Sequence, residues 1–183
     1  MSKTALIIVD MQNDYFPGGK WTLDGVEAAA INTARVLADF RQRGLAIIHV
    51  RHEFPSTDAP FFVPGSDGAN IHTSLQPAEG EFQILKSEVN SFQGTELHAL
   101  LQREDITNLV ITGAMSHICI DAITRAAADL GYNNTLVHDA CATLGVEFNG
   151  VQVPAVQVHA AFMAALAFAY AEVVSTDTFL SSR

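Results

Sequence analysis

Six short apolar runs alternate along this chain with longer stretches of helical periodicity, and that alternation limits the fold more than any other feature. The runs are Ala5–Val9 (ALIIV), Leu45–Val50 (LAIIHV), Phe82–Leu85 (FQIL), Asn108–Thr112 (NLVIT), Thr135–His138 (TLVH) and Glu172–Ser175 (EVVS). Most are continuously apolar and β-branched, the pattern of strands covered on both faces. From about Gly25 to Arg43, Val26, Ala30, Thr33, Leu37 and Phe40 share one helical stripe. Asp24 with Glu27 predicts a capping box at its start, and Gly44 a stop. Thr95–Arg103, Cys119–Leu130 and Val153–Tyr170 read as three further helices. Strands and helices in alternation mean βαβ units and right-handed crossovers. The predicted fold is α/β: a doubly wound, mostly parallel six-stranded sheet with helices on both faces. At roughly 150 residues per domain, residues 1–183 are expected to form one domain.

Composition narrows the possible partners. Hydrophobic residues make up 49% and charged residues 16%, which excludes disorder for the bulk of the chain. A net charge of −10 argues against nucleic-acid backbones and anionic membranes. The apolar run Ala5–Val9 stops at Asp10, too short for a signal peptide, and the Ala-rich stretch 160–171 is shorter than the ~20 residues that span a bilayer. Two cysteines, Cys119 and Cys141, make no disulfide framework. A cytoplasmic location is expected.

Two segments break the rhythm. Glu53–Gly80 carries four prolines and the pair Phe61–Phe62, the composition of a lid, a binding loop or an interface arm. Asp139–Gln152 is a shorter irregular stretch. Ligands in open α/β sheets bind beyond the carboxyl ends of strands, and three such ends present an acid, an amine and a thiol: Asp10, Lys86 and Cys119. A thiol in the first turn of a helix feels the positive end of the macrodipole, and a nearby ammonium adds to this, so a lowered thiol pKa is expected. A carboxylate beside it can take the thiol proton and return it to a leaving group. Backbone N–H groups of the turn Gly113–Ile118 point where an oxyanion would develop. Each residue alone also has a plain reading, Cys119 as a small buried hydrophobe and Lys86 as a surface charge.

The segments ALIIVDMQNDYFPGG around Asp10, VRH at 50–52, KSEVNSFQGTEL from Lys86, VITGAMSHICIDAITRAAADLGY around Cys119 and DACATLGVEFNGVQVPAVQVHAAFMAAL from Asp139 resemble the isochorismatase-like cysteine hydrolases over nearly the whole chain. The resemblance implies a Rossmann-like, isochorismatase-like hydrolase fold with Asp10 as general base, Lys86 as orienting and polarising group and Cys119 as nucleophile. It also implies a non-proline cis peptide between Ala114 and Met115, with the N–H groups of Met115 and Cys119 as the oxyanion hole. The zinc-dependent nicotinamidases of the same superfamily have Asp-x-His after the second strand. Here that place reads Arg51-His52-Glu53, so His49, His52 and His72 are not expected to hold a metal.

The expected activity is cleavage of a small-molecule amide or related C–N bond through a thioester on Cys119, without cofactor. Alternatives are hydrolysis of an isochorismate-type vinyl ether, which has no obvious need for a thiol nucleophile, and a catalytically idle α/β binding scaffold. Phe16, His52, Phe61, Phe62, Phe92, Met115 and His117 are candidates to line the substrate pocket; His52 and His117 also read as structural, and the aromatic residues as core. No Gly-x-Gly-x-x-Gly or P-loop follows a strand, which disfavours a nucleotide cofactor. The helix Val153–Tyr170 is apolar on nearly every face, and with the 53–80 arm it predicts a homo-oligomer.

Overall fold

The first strand, β1 (Lys3–Val9), divides its side chains between two cores. Leu6 and Ile8 enter the core on one face of the sheet; Ala5, Ile7 and Val9 enter the core on the other. A strand buried on both faces has no polar side to alternate with, which is why the run ALIIV is continuous. In the computed structural model, which describes residues 3–182, β1 pairs with β2 (Ala46–His52) on one side and β4 (Ile106–Ala114) on the other. β3 (Phe82–Lys86) and β5 (Asn133–Ala142) flank these, and β8 (Glu172–Val174) closes the far edge. The order is β3-β2-β1-β4-β5-β8 with every neighbouring pair parallel. An antiparallel hairpin, β6 (Val146–Phe148) and β7 (Val151–Val153), stands apart from the sheet.

Helices α1 (Val26–Gln42) and α5 (Thr176–Ser181) cover one face through Val36, Leu37, Phe40 and Phe179. Helices α2 (Leu97–Arg103), α3 (Cys119–Asp129) and α4 (Ala155–Ala169) cover the other through Leu97, Leu101, Ile120, Ile123 and Leu166. Successive strands step one way from β1 to β3 and the other way from β4 to β8. The reversal lies between β1 and β4, where open α/β sheets leave a crevice for ligands.

Three local expectations fail. Helix α1 has no capping box: its N-cap is Gly25 at φ 72°, no side chain caps it, and Asp24 instead forms a backbone bridge with Thr143. Residues 139–152 are not irregular, because β5 continues to Ala142 and the β6–β7 hairpin follows. Asn149 and Gly150, both at positive φ, make its two-residue turn. The 53–80 arm does not leave its aromatic residues to be covered from outside. Phe61 and Phe62 are 8% and 1% exposed and join the α1-side core, each worth about 1.5–3 kcal/mol of burial.

The arm is fastened at several points. Met11 O accepts from His72 N at 2.9 Å, and Asn70 O accepts from Asn13 N at 2.9 Å. Near its end, Glu81 carries a buried carboxylate that takes two hydrogen bonds from Arg41 of α1 (2.6 and 2.9 Å), one from Ala78 N (2.9 Å) and a contact with His49 Nε2 of β2 (2.8 Å). Helix α4 is different: it has no charged residue, and Val156 and Phe168 are 75% and 91% exposed. No helix among the described residues is long and apolar enough to cross a membrane.

Burial alone would raise the Glu81 pKa, but the bonds from Arg41, Ala78 and His49 outweigh it and hold it down at about 2. A carboxyl lowered in the folded state stabilises at pH values above its unfolded value of 4.5 and loses that contribution as pH falls through about 2. Glu81→Gln is therefore expected to cost about 1–3 kcal/mol near neutral pH in urea unfolding. The gap to wild type should narrow as pH falls below 4.5; a gap independent of pH contradicts the assignment.

Candidate active site

At the end of β1 the backbone of Asp10 turns into the left-handed region (φ 52°), which Asp tolerates better than most residues, while its N–H stays bonded to Val50 O at 2.9 Å. Two strands away Lys86 ends β3, in register with His52 at the end of β2. Cys119 opens α3 after the β4 turn. These elements converge on one ammonium. Lys86 Nζ lies 2.8 Å from Asp10 Oδ2, 3.3 Å from Cys119 Sγ, 3.1 Å from His52 Nδ1 and 3.2 Å from the Glu88 carbonyl. The side chains of Asp10 and Lys86 are both fully buried. Burying such charges costs several kcal/mol each, which only close pairing offsets.

The turn between β4 and α3 is shaped by contacts as tight. Gly113 sits at φ 125°, where a Cβ would lie 2.0 Å from the Val9 carbonyl oxygen, so only glycine lets β4 approach β1 here. The Ala114–Met115 peptide is cis. Ser116 N donates to Ala142 O at 2.9 Å, and Ile118 N and Ile120 N share Met115 O at 3.0 and 3.2 Å. The N–H groups of Met115 and Cys119, by contrast, donate to no carbonyl among the described residues.

The thiol corrects a sequence expectation. Its pKa is raised, not lowered: burial is the largest cause, the Asp10 charge adds to it, and the Lys86 ammonium opposes both. A helix start and a lysine do not outweigh burial beside a carboxylate, so the resting side chain is a thiol. Burial also works against the Lys86 charge, yet Asp10 and Cys119 turn the balance and raise its pKa. His52 is pushed down to about 4 by burial first and by Lys86 second, and stays neutral.

The candidate pocket residues divide. Phe61 and Phe62 pack on each other (4.9 Å between ring centroids) and on Tyr15, and Phe62 is 6.2 Å from the His52 ring. Met115 lies in the turn itself and is buried. Phe16 stacks instead on His72 at 3.7 Å and lines a surface cavity of about 480 Å³ beside α1, which the Asp10–Lys86–Cys119 cluster does not line. Phe92 packs with His98 and Tyr132. His117 is turned toward Thr143 Oγ1, 2.6 Å away. His49, His52 and His72 are held in separate contacts with Glu81, Lys86 and Phe16. Cys141 is buried, its thiol pKa raised, and it donates to Val137 O at 3.4 Å.

Three residues that sequence reasoning passes over organise the site. Gln12 binds the His52 backbone on both sides, accepting from its N–H at 2.7 Å and donating to its carbonyl at 2.8 Å, while also reaching Ala69 O. Asp14 accepts from Phe62 N at 2.7 Å and so holds Phe62 at positive φ (51°). The pKa of the Tyr15 phenol is raised by burial first and then by the Asp10 charge, which puts it within electrostatic reach of that carboxylate. The available signal is their spacing: positions 12, 14 and 15 follow Asp10 closely and are polar residues in a buried setting.

Comparison with known proteins agrees with this architecture. The isochorismatase domain profile matches residues 4–178. The uncharacterised isochorismatase family protein YddQ of Bacillus subtilis is 47% identical over 177 residues, covering 97% of this chain and 98% of its own length. A crystal structure from Oleispira antarctica of a protein assigned to the isochorismatase hydrolases superposes with a TM-score of 0.95 at 57% identity, covering 98% of this chain and 97% of that one. A streptothricin hydrolase of Streptomyces noursei is 32% identical over 146 residues, 78% of this chain and 50% of that protein.

Because the Asp10 charge raises the thiol, Asp10→Asn is expected to move the pH midpoint of Cys119 alkylation to lower pH. Mass spectrometry of the labelled peptide measures it. A midpoint that rises or stays put contradicts this electrostatic account.

Proposed function

The chain belongs to the isochorismatase family, and from that premise we propose that it hydrolyses a small-molecule amide or related C–N bond through a thioester on Cys119. The observation that carries the proposal is the single ammonium shared by the buried Asp10 carboxylate and the Cys119 thiol. Asp10 takes the thiol proton, and Lys86 balances the charge that forms on sulfur. The thiolate attacks the carbonyl carbon, and the unpaired N–H groups of Met115 and Cys119 receive the oxyanion. The C–N bond breaks as Asp10 passes its proton to the leaving nitrogen. A water then gives a proton to Asp10 while its oxygen attacks the thioester. The C–S bond breaks, and the carboxylic acid half and the free thiol are restored.

A raised resting thiol pKa suits this sequence of steps: the proton leaves only when a carbonyl is in place to receive the sulfur, so an idle thiolate is not exposed to oxidants. A vinyl-ether hydrolysis would run through protonation of carbon and leave Cys119 without a task. Metal chemistry is not needed in this reading, since Arg51 pairs with Glu53 and His52 is committed to Lys86. The streptothricin hydrolase name supports a hydrolytic reaction in a relative that matches 78% of this chain. Two free, buried cysteines fit a cytoplasmic setting. The uncharged outer face of α4 supports assembly with further copies: in a chain of net charge −10, it is surface that brings no like charges together.

A screen of small amides, ureides and hydroxamates, read by released ammonia or amine, is expected to find a substrate whose turnover Cys119→Ala abolishes. Cys141→Ala should retain most of it, and chelator treatment should leave it unchanged. Turnover that survives Cys119→Ala overturns the proposal. Light scattering should give a mass of at least about twice the 19.7 kDa chain; a monomer contradicts the assembly.

A further inference from the structure

Helix α4 is apolar along nearly its whole length. Gln157 and His159 are its only polar side chains, and Gln157 is exposed while His159 is half-buried. The turn between β4 and α3 accounts for the exception. Ser116 is fully buried, and its hydroxyl lies 2.8 Å from His159 Nδ1 and 3.3 Å from Ala142 O, a carbonyl that already accepts from Ser116 N at 2.9 Å. Neutral or charged, and in either tautomer, the ring can hold this bond, because a hydroxyl both donates and accepts. One turn further along the same face of α4, Phe162 meets the His117 ring edge-on at 5.8 Å between centroids. His117 Nδ1 in turn lies 2.6 Å from Thr143 Oγ1. Two consecutive residues of the turn are thus tied to the end of β5 and to α4.

A half-buried histidine bonded to a serine is by itself ordinary packing. The place of Ser116 makes this pair different. It stands between Met115 and Cys119, whose N–H groups receive the oxyanion in the reaction above, and it shares a peptide unit with Met115. A small rotation of that backbone moves an N–H relative to the oxyanion, and such donors work only when held within about 0.5 Å of the productive geometry. Backbone bonds fix the turn to its neighbours in β5 and α3, with Ser116 N on Ala142 O and with Ile118 N and Ile120 N on Met115 O. His159 adds a side-chain anchor from α4.

We propose that His159 is a positioning residue for the oxyanion turn: through the Ser116 hydroxyl it holds the Met115 and Cys119 amides in place while charge develops on the carbonyl oxygen. The inference rests on the thioester reading, which assigns α4 no part in the reaction.

Two reagents, each read at the Cys119 peptide by mass spectrometry, separate positioning from packing without a known substrate. p-Nitrophenyl acetate acylates the thiol: sulfur bonds to the carbonyl carbon through an oxyanion, and p-nitrophenolate leaves. Iodoacetamide alkylates the same thiol by displacing iodide at a saturated carbon, where no oxyanion forms. His159→Phe is expected to slow acylation about tenfold, the size of one hydrogen bond, and to change alkylation by less than about twofold. His159→Asn, which keeps a polar atom near the place of Nδ1, should recover most of the acylation rate. Ser116→Ala should slow acylation likewise, and His159→Phe added to it should change little further, since the histidine acts through the hydroxyl. Should His159→Phe not fold, the acylation and alkylation rates of Ser116→Ala decide. Acylation that these variants leave unchanged, or that falls only together with alkylation, overturns the proposal while Cys119 remains the nucleophile. A His159→Phe effect that persists in full beside Ser116→Ala does the same. A Cys119 that iodoacetamide labels and p-nitrophenyl acetate does not acylate overturns the oxyanion turn, and this proposal with it. A Cys119 that neither reagent labels overturns the nucleophile reading itself.

Discussion

Asp10 and Lys86 form an ion pair of 2.8 Å with neither side chain exposed to water, and the rest of the site is arranged around that fact. Two charges of this kind are stable in a protein interior only if each stays close to the other and to further polar groups. That requirement places the ends of β1 and β3 at the same depth, although β2 separates them, and puts His52 and the start of α3 at the remaining contacts of the ammonium. Removing either partner would leave an uncompensated buried charge, at a cost of about 3–5 kcal/mol. The pair is therefore a structural joint as well as a candidate for chemistry.

Around this joint the segment Asp10–Tyr15 does several tasks in six residues. Asp10 faces the ammonium, Gln12 fixes the end of β2, Asp14 holds the arm at Phe62, and Tyr15 packs under both phenylalanines. The long arm is thereby folded onto its own core, and its ordering is offset by buried rings and by the Arg41–Glu81–His49 contacts. What stays open to association is the charge-free side of α4 with Phe168, together with the exposed Phe148 and Val151 of the hairpin.

Much of this is legible in the sequence, for physical reasons. Strands covered on both faces must be apolar throughout, so ALIIV and NLVIT betray a parallel sheet, and strand order then brings Asp10 and Cys119 to the reversal point. Asn149–Gly150 is a hairpin signal too, but strands of three residues give little alternation to read beside it. Burial is harder to see. The position of Cys119 at a helix start predicts a lowered thiol pKa, whereas its enclosure beside a carboxylate, a property of the tertiary fold alone, raises it. Gln12 and Asp14 escape notice for a related reason: polar residues after a strand read as solvent-facing until the arm is known to cover them.

The central claim is a covalent bond between Cys119 and the acyl half of a substrate. Intact-protein mass spectrometry after acid quench, during turnover of an amide found by its ammonia release, tests this most directly. The account predicts a mass increase equal to the acyl group, localised by peptide mapping to Cys119 and lost when the substrate is consumed. Steady turnover with no adduct on Cys119, at quench times shorter than one catalytic cycle, would contradict it.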